Sequence, residues 1–199
     1  YFVEKEYENV AREIFGETPA MLSFFSDQLG VRYPWDKYWQ VCVRDYVSGA
    51  MENTSAVIFG EFVQQHEREL IDEDHEDIVS HELFHHWFGD LVTCESWANL
   101  PLNESFATYG EVLWREHRYG EDEKYRKVYD DMDSYFYEAS QGKQVDLIRY
   151  HHDTAEDMFD SHSYAKGGAI LNMLRDAVGD DAFFESLRVY LEDNKYQSV

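Results

Sequence analysis

Cross-linking thiols, cations and long apolar runs are what this chain is short of. Only two cysteines, Cys42 and Cys94, occur among its 199 residues. That excludes a disulfide framework, so the fold must rest on a hydrophobic core. Prolines number three, and no Pro/Gly-rich tract or internal repeat divides the chain, which predicts one domain over residues 1–199. No apolar stretch approaches the roughly 20 residues of a membrane span, and no signal peptide appears. Lys and Arg together number 17 against 41 Asp and Glu, a formal net charge of -24. Such a balance repels polyanions, which excludes nucleic acid and anionic membrane surfaces as partners. It suits cationic ligands, the α-amine of a peptide among them, although most charge of this kind simply keeps a surface solvated.

What the chain does have is apolar bulk. Hydrophobic residues make up 44% and aromatics 17%, which excludes disorder and favours a compact core or a flat-walled cleft. The periodicity predicts a helix over residues 4–15, stopped at Gly16. A second starts with Thr18 as N-cap and Pro19 at the first helical position, and stops at Gly30. Residues 38–43 and 55–59 read as strands, with 48–53 as a connection or edge segment between them. From residue 76 the pattern is helical: 76–88, 103–117, 122–140, 163–178 and 181–193. Few strands early and helices late make an α+β segregation.

His81-Glu82-Leu83-Phe84-His85 matches H-E-x-x-H. Residues four apart on a helix differ by about 40° in azimuth, so His81 and His85 project from one face, one turn apart. Two imidazoles so placed can share one metal, while Glu82 sits off that axis and can reach a water without ligating. The flanking Ile78, Val79, Leu83, Phe84, Trp87 and Phe88 imply a buried helix. Buried imidazoles and a carboxylate are costly unless a cation satisfies them. His86 lies about 140° from His81 and reads as a packing histidine. The third ligand predicted is Glu104, 19 positions after His85. Taken alone it would read as a carboxylate favoured by a helix N-terminus. Glu111, two turns further along, shares its face and can hydrogen-bond a ligating histidine.

The spacing resembles the gluzincins with their thermolysin-like catalytic domain, and the neighbouring residues resemble the aminopeptidase N and leukotriene hydrolase family among them. Gly49-Ala50-Met51-Glu52-Asn53 is similar to that family's GAMEN exopeptidase signature. His85-His86-Trp87-Phe88-Gly89-Asp90-Leu91-Val92-Thr93 is similar to its stretch after the zinc helix. Ser163-Tyr164-Ala165-Lys166-Gly167 is similar to its Y-x-K-G tyrosine motif. The resemblance covers residue 4 to the end. Departures occur at Ser96-Trp97-Ala98-Asn99, where the family usually has two tryptophans and Asn-Asp. Pro101 replaces an aromatic and Ser105 a glycine; none replaces a ligand or the base.

The resemblance implies a zinc aminopeptidase, with one Zn²⁺ per chain on His81, His85 and Glu104 and with Glu82 as general base. It implies that Tyr164, otherwise one tyrosine of 15, donates its hydroxyl to the oxyanion of the tetrahedral intermediate. It also implies that Glu52 holds the free α-ammonium of a peptide. Gly49, Ala50 and Met51 would line the substrate, the backbone of the two small residues pairing with it as an added strand, and Asn53 would brace the loop. A thermolysin-like endopeptidase shares ligands and base, but it would need open space where Glu52 stands. A non-catalytic zinc-containing binding domain would need neither Glu82 nor Tyr164. His66, His75, His117, His151 and His152 have no metal spacing and read as surface or loop residues, and Cys94 as structural. The chain begins at Tyr1 without Met, and the family flanks this core with an N-terminal β domain and a C-terminal helical domain. A catalytic-domain piece of a larger protein is therefore expected.

Overall fold

The computed structural model describes residues 1–199. Residues 4–15 do not make one helix: a 3-10 turn at Lys5–Tyr7 precedes a short α1 (Ala11–Phe15). Tertiary pairing overrides the helical pattern here. Phe2 is laced to the first strand through the Gln40 carbonyl and the Cys42 N–H, at 2.8 and 2.9 Å. The Glu4 N–H donates to the Gln64 side chain at 2.7 Å. Helix α2 (Thr18–Leu29) ends at Gly30 as predicted, but Thr18 lies inside its first turn and Glu17 is the cap residue. The Thr18 hydroxyl instead donates to buried Gln40 at 2.9 Å.

Strands β1 (Trp39–Val43), β2 (Ala50–Met51) and β3 (Ala56–Gly60) form one sheet in the order β1-β3-β2. β1 runs parallel to β3, whereas β2 runs antiparallel, with Ala50 opposite Phe59 and Met51 opposite Ile58. The segment between the two predicted strands is thus the sheet's edge, and β2 has a free hydrogen-bonding side.

Helix α3 (Glu76–Phe84) is shorter than predicted. From His85 the chain tightens, the N–H groups of His86 and Trp87 bonding three residues back to Leu83 and Phe84. After β4 (Val92–Thr93) come α4 (Pro101–Tyr119) and α5 (Glu121–Ser140). A π turn at His162–Lys166 runs directly into α6 (Gly167–Val178), followed by α7 (Asp180–Asn194) and β5 (Gln197–Ser198). β5 pairs parallel with β4, a contact that two-residue strands are too short to announce by alternation.

The core gathers around α3. Val79, Leu83, Phe84, Trp87 and Phe88 pack with Phe25 of α2 and with Tyr109, Val112 and Trp114 of α4. Each large side chain so removed from water stabilises by roughly 1.5–3 kcal/mol. α3 and α4 approach closely because residue 110 is Gly: a Cβ there would lie 2.6 Å from Cγ of Phe84. Polar ties fix the same pair of helices. Trp114 Nε1 donates to Glu76 at 2.6 Å, and Arg115 bridges Asp74 and Asp77 at 2.7 and 2.5 Å.

Candidate metal centre

The α3–α4 contact brings the three predicted ligands together. Nε2 of His81 and Nε2 of His85 lie 3.3 and 3.4 Å from the same Oε2 of Glu104. All three residues are buried. The opposite ring nitrogens are tethered: His81 Nδ1 donates to Glu111 Oε1 at 2.6 Å and His85 Nδ1 to the Phe88 carbonyl at 3.1 Å. A carbonyl only accepts, so the His85 proton sits on Nδ1 and Nε2 is free for a metal. Glu111 is in turn held by Lys127 of α5 at 2.8 Å, and Lys127 by Asp131 at 2.5 Å. Lys127, almost wholly buried, is a site residue that the sequence did not reveal. Four residues from Asp131 on a charged helix, it looks like half of an exposed ion pair.

The donor set fits zinc. Ligand atoms about 2.0–2.1 Å from a tetrahedral ion stand roughly 3.3 Å from one another, and the His–Glu separations above have that size. The charge balance agrees. Burial opposes a proton on either histidine, yet Glu104 and Glu111 hold His81 well above the ordinary imidazole range. Against the same burial, Glu104 and Glu52 hold His85 up to about 9. Burial would raise Glu104, but the two imidazoles push it well below the usual carboxylate range. The cluster demands positive charge, which protons or one divalent cation can supply.

Around it lies a cleft of about 1350 Å³ lined by Gly49, Ala50, Met51, Glu52, Glu82 and Tyr164 among others. None of its lining residues is Lys or Arg. Glu82 is buried, and its Oε2 has no hydrogen-bond partner. Burial lifts its carboxyl to about 7, against the opposing pull of His81 and His85. Carboxylate oxygens of Glu52 and Glu82 and a ring nitrogen of His85 all lie within 4.8 Å of one another. The Tyr164 ring stacks on His81, with centroids 5.9 Å apart and planes 10° off parallel. Burial, then the charge of Glu104, pushes its phenol well above the usual range, so the hydroxyl remains a donor.

Two neighbours hold the turn beside the cleft. Asn53 does not line the cleft; its carbonyl accepts the Ala56 N–H at 2.8 Å and closes the turn into β3. His86 packs in the core as predicted but also holds that turn. Its Nδ1 donates to the Glu82 carbonyl at 3.1 Å, and its Nε2 accepts the Ser55 N–H at 2.9 Å. Among the remaining histidines His75 is buried beside Phe62 rather than on the surface, and His152 faces the cleft. Both cysteines are free thiols, Cys94 on the cleft wall.

Comparison with known proteins gives the family. The Peptidase family M1 domain profile matches residues 14–199. Aminopeptidase M1-A of Oryza sativa subsp. japonica is 33% identical over 184 residues, covering 89% of this chain and 21% of that protein. Endoplasmic reticulum aminopeptidase 1 of Mus musculus is 34% identical, covering 90% and 20%. The chain therefore spans about a fifth of the length of these relatives. Among solved structures, an M1 zinc metallopeptidase from Deinococcus radiodurans superposes with a TM-score of 0.73 at 30% identity, over 92% of this chain and 38% of that one. Yeast LTA4 hydrolase in complex with bestatin gives 0.81 at 23% identity over 92% and 30%, a likeness of fold. A profile match that takes in the whole of α3, α4 and the cleft around them makes this chain a member of peptidase family M1.

Proposed function

We infer that this chain is the catalytic core of a zinc aminopeptidase that removes single residues from the N-termini of peptides. The observation that carries the reading is the unpartnered, buried Glu82 carboxylate set between the His81–His85–Glu104 cluster and Glu52. Zinc bound by that cluster would supply Lewis acidity, polarising the scissile carbonyl and acidifying the attacking water. Glu82, poised near neutrality, accepts the water's proton on its free oxygen and passes it to the departing amine. Tyr164 keeps its proton and donates a hydrogen bond to the developing oxyanion. Glu52 pairs with the substrate's α-ammonium, and its closeness to Glu82 leaves room for one residue ahead of the scissile bond. The free side of β2 offers main-chain groups to an extended peptide. Glu111, backed by Lys127, holds His81 in its ligating orientation. A form of the Deinococcus radiodurans relative carries a bound Tyr-Ser-Ala substrate, which supports a peptide as the ligand here.

Because the relatives are about five times longer, the activity is proposed for the full-length protein. The test is Glu82→Gln in that protein. Zinc content should stay at the wild-type value while kcat on aminoacyl amides falls by about 10²–10⁴-fold. Near wild-type turnover would show that Glu82 is not the base. Cleavage of N-terminally blocked peptides as fast as free ones would favour an endopeptidase instead.

A further inference from the structure

One buried ion pair takes no part in the cleft. Arg149 follows α5, and Asp160 precedes the π turn that carries Tyr164; both are buried, the Asp160 side chain only 2% exposed. They meet as a fork, Nη1 to Oδ2 at 2.5 Å and Nη2 to Oδ1 at 3.0 Å. Lys143, more exposed, reaches the same carboxylate at 2.6 Å. A buried ion pair is weak evidence for stability, because apolar side chains of equal volume often do as well.

Where the remaining bonds of this pair go is more informative. Asp160 Oδ1 accepts the backbone N–H groups of His162 and Ser163, each at 3.0 Å. Its main-chain carbonyl accepts the Tyr164 N–H at 3.2 Å. Arg149 donates to Ser163 Oγ at 2.9 Å and to the carbonyls of Asp157 and Met158. On the other side, Ser105, adjacent to the ligand Glu104, donates its hydroxyl to the Ser163 carbonyl at 2.6 Å. A Cβ at Gly167 would fall 1.7 Å from that hydroxyl, so glycine is what lets the turn press against α4. The segment bearing Tyr164 is held between a charged fork and the helix that supplies the metal ligand. Single π turns are uncommon and concentrate at functional sites. Without the Asp160 charge the fork to Arg149 is lost and the two buried N–H groups keep at most a neutral acceptor, which favours relaxation of the turn.

We propose that Arg149 and Asp160 are positioning residues for Tyr164, locking its turn so that the hydroxyl is fixed relative to Glu104. This rests on the role given to Tyr164 above. The experiment uses full-length enzyme carrying Asp160→Asn or Arg149→Lys, each alone and combined with Tyr164→Phe. The lysine keeps the charge but loses the fork, so it decides the matter if Asp160→Asn does not fold. Each single variant should lower kcat by about 10²-fold, the cost of a misplacement near 1 Å. KM and zinc content should stay close to wild type. In the Tyr164→Phe background neither substitution should lower kcat further, since the hydroxyl it positions is gone. Wild-type kcat in both single variants, or the same added loss on top of Tyr164→Phe, would overturn the proposal. Wild-type kcat in Tyr164→Phe alone would also overturn it, by removing the role of Tyr164 itself. That failure is distinguishable, because in the first case Tyr164→Phe is impaired.

Discussion

Gly110→Ala adds one methyl group where α3 and α4 touch. The new Cβ would meet Cγ, Cβ and Cδ2 of Phe84 at 2.6, 2.7 and 2.9 Å. Carbon atoms settle at about 3.5–4.0 Å, so roughly 1 Å must open between the helices. Phe84 cannot yield, being fully buried between Phe25 and Phe88 with centroids 5.0 and 5.5 Å away. Overpacking costs up to about 3 kcal/mol, and the better helix propensity of Ala returns about 1 kcal/mol. The net loss is about 2 kcal/mol, or a fall in melting temperature of about 4–8 °C for a domain of this size. The same opening draws Glu104 and Glu111 of α4 away from His81 and His85 of α3. Metal sites tolerate only about 0.2 Å, so zinc affinity should fall about 10–100-fold in competition with a chelator. Phe84→Leu in the same chain, by making room, should recover part of the affinity. Unchanged melting and unchanged zinc affinity in Gly110→Ala would refute the claim that this contact sets the ligand geometry.

Other consequences are as direct. Lys127→Met keeps the volume but leaves Glu111 without its cation, and zinc affinity should drop by about 10-fold or more; isothermal titration with zinc checks it. Glu52→Gln should raise KM for peptides with a free N-terminus, read from initial rates over a range of peptide concentrations. Burial would raise the Asp160 carboxyl, but Arg149 and Lys143 hold it down at about 2. Its unfolded value is about 3.9, so its contribution is complete above pH 4 and vanishes as the pH falls to about 2. The gap in urea midpoint between wild type and Asp160→Asn should therefore narrow over that interval; a gap independent of pH would contradict the assignment.

The clustering of His81, His85 and Glu104 was legible in sequence because two of them obey a helical spacing and the third follows at a fixed interval on the next long helix. Chemistry and local geometry coincide there. Lys127 and the Arg149–Asp160 pair were not legible, since their burial depends on how α5 and the following loop fold back over α4. A lysine on a charged helix carries no local sign of it. The N-terminal segment misled for the same reason: residues 4–15 have helical spacing, yet pairing of Phe2 with β1 decides the backbone. The edge position of β2 was open in the pattern and is settled by its single pairing with β3.

The β4–β5 pair bears on the order in which the molecule can assemble. His81 and Glu111, at the two ends of the His–Glu cluster in sequence, are 30 positions apart, a short loop to close during synthesis. The wall of the cleft at Thr93, Cys94 and Glu95, with the Leu91–Val92 stretch leading into it, is another matter. Its backbone is bonded to Tyr196 and Val199, and Ser198 reaches Cys94 across 104 positions. A nascent chain can therefore gather His81, His85 and Glu104 well before the wall beside them has a partner. Assembly of the cluster can precede closure of the cleft by the time taken to translate and dock residues 196–199, at about 5–20 residues per second.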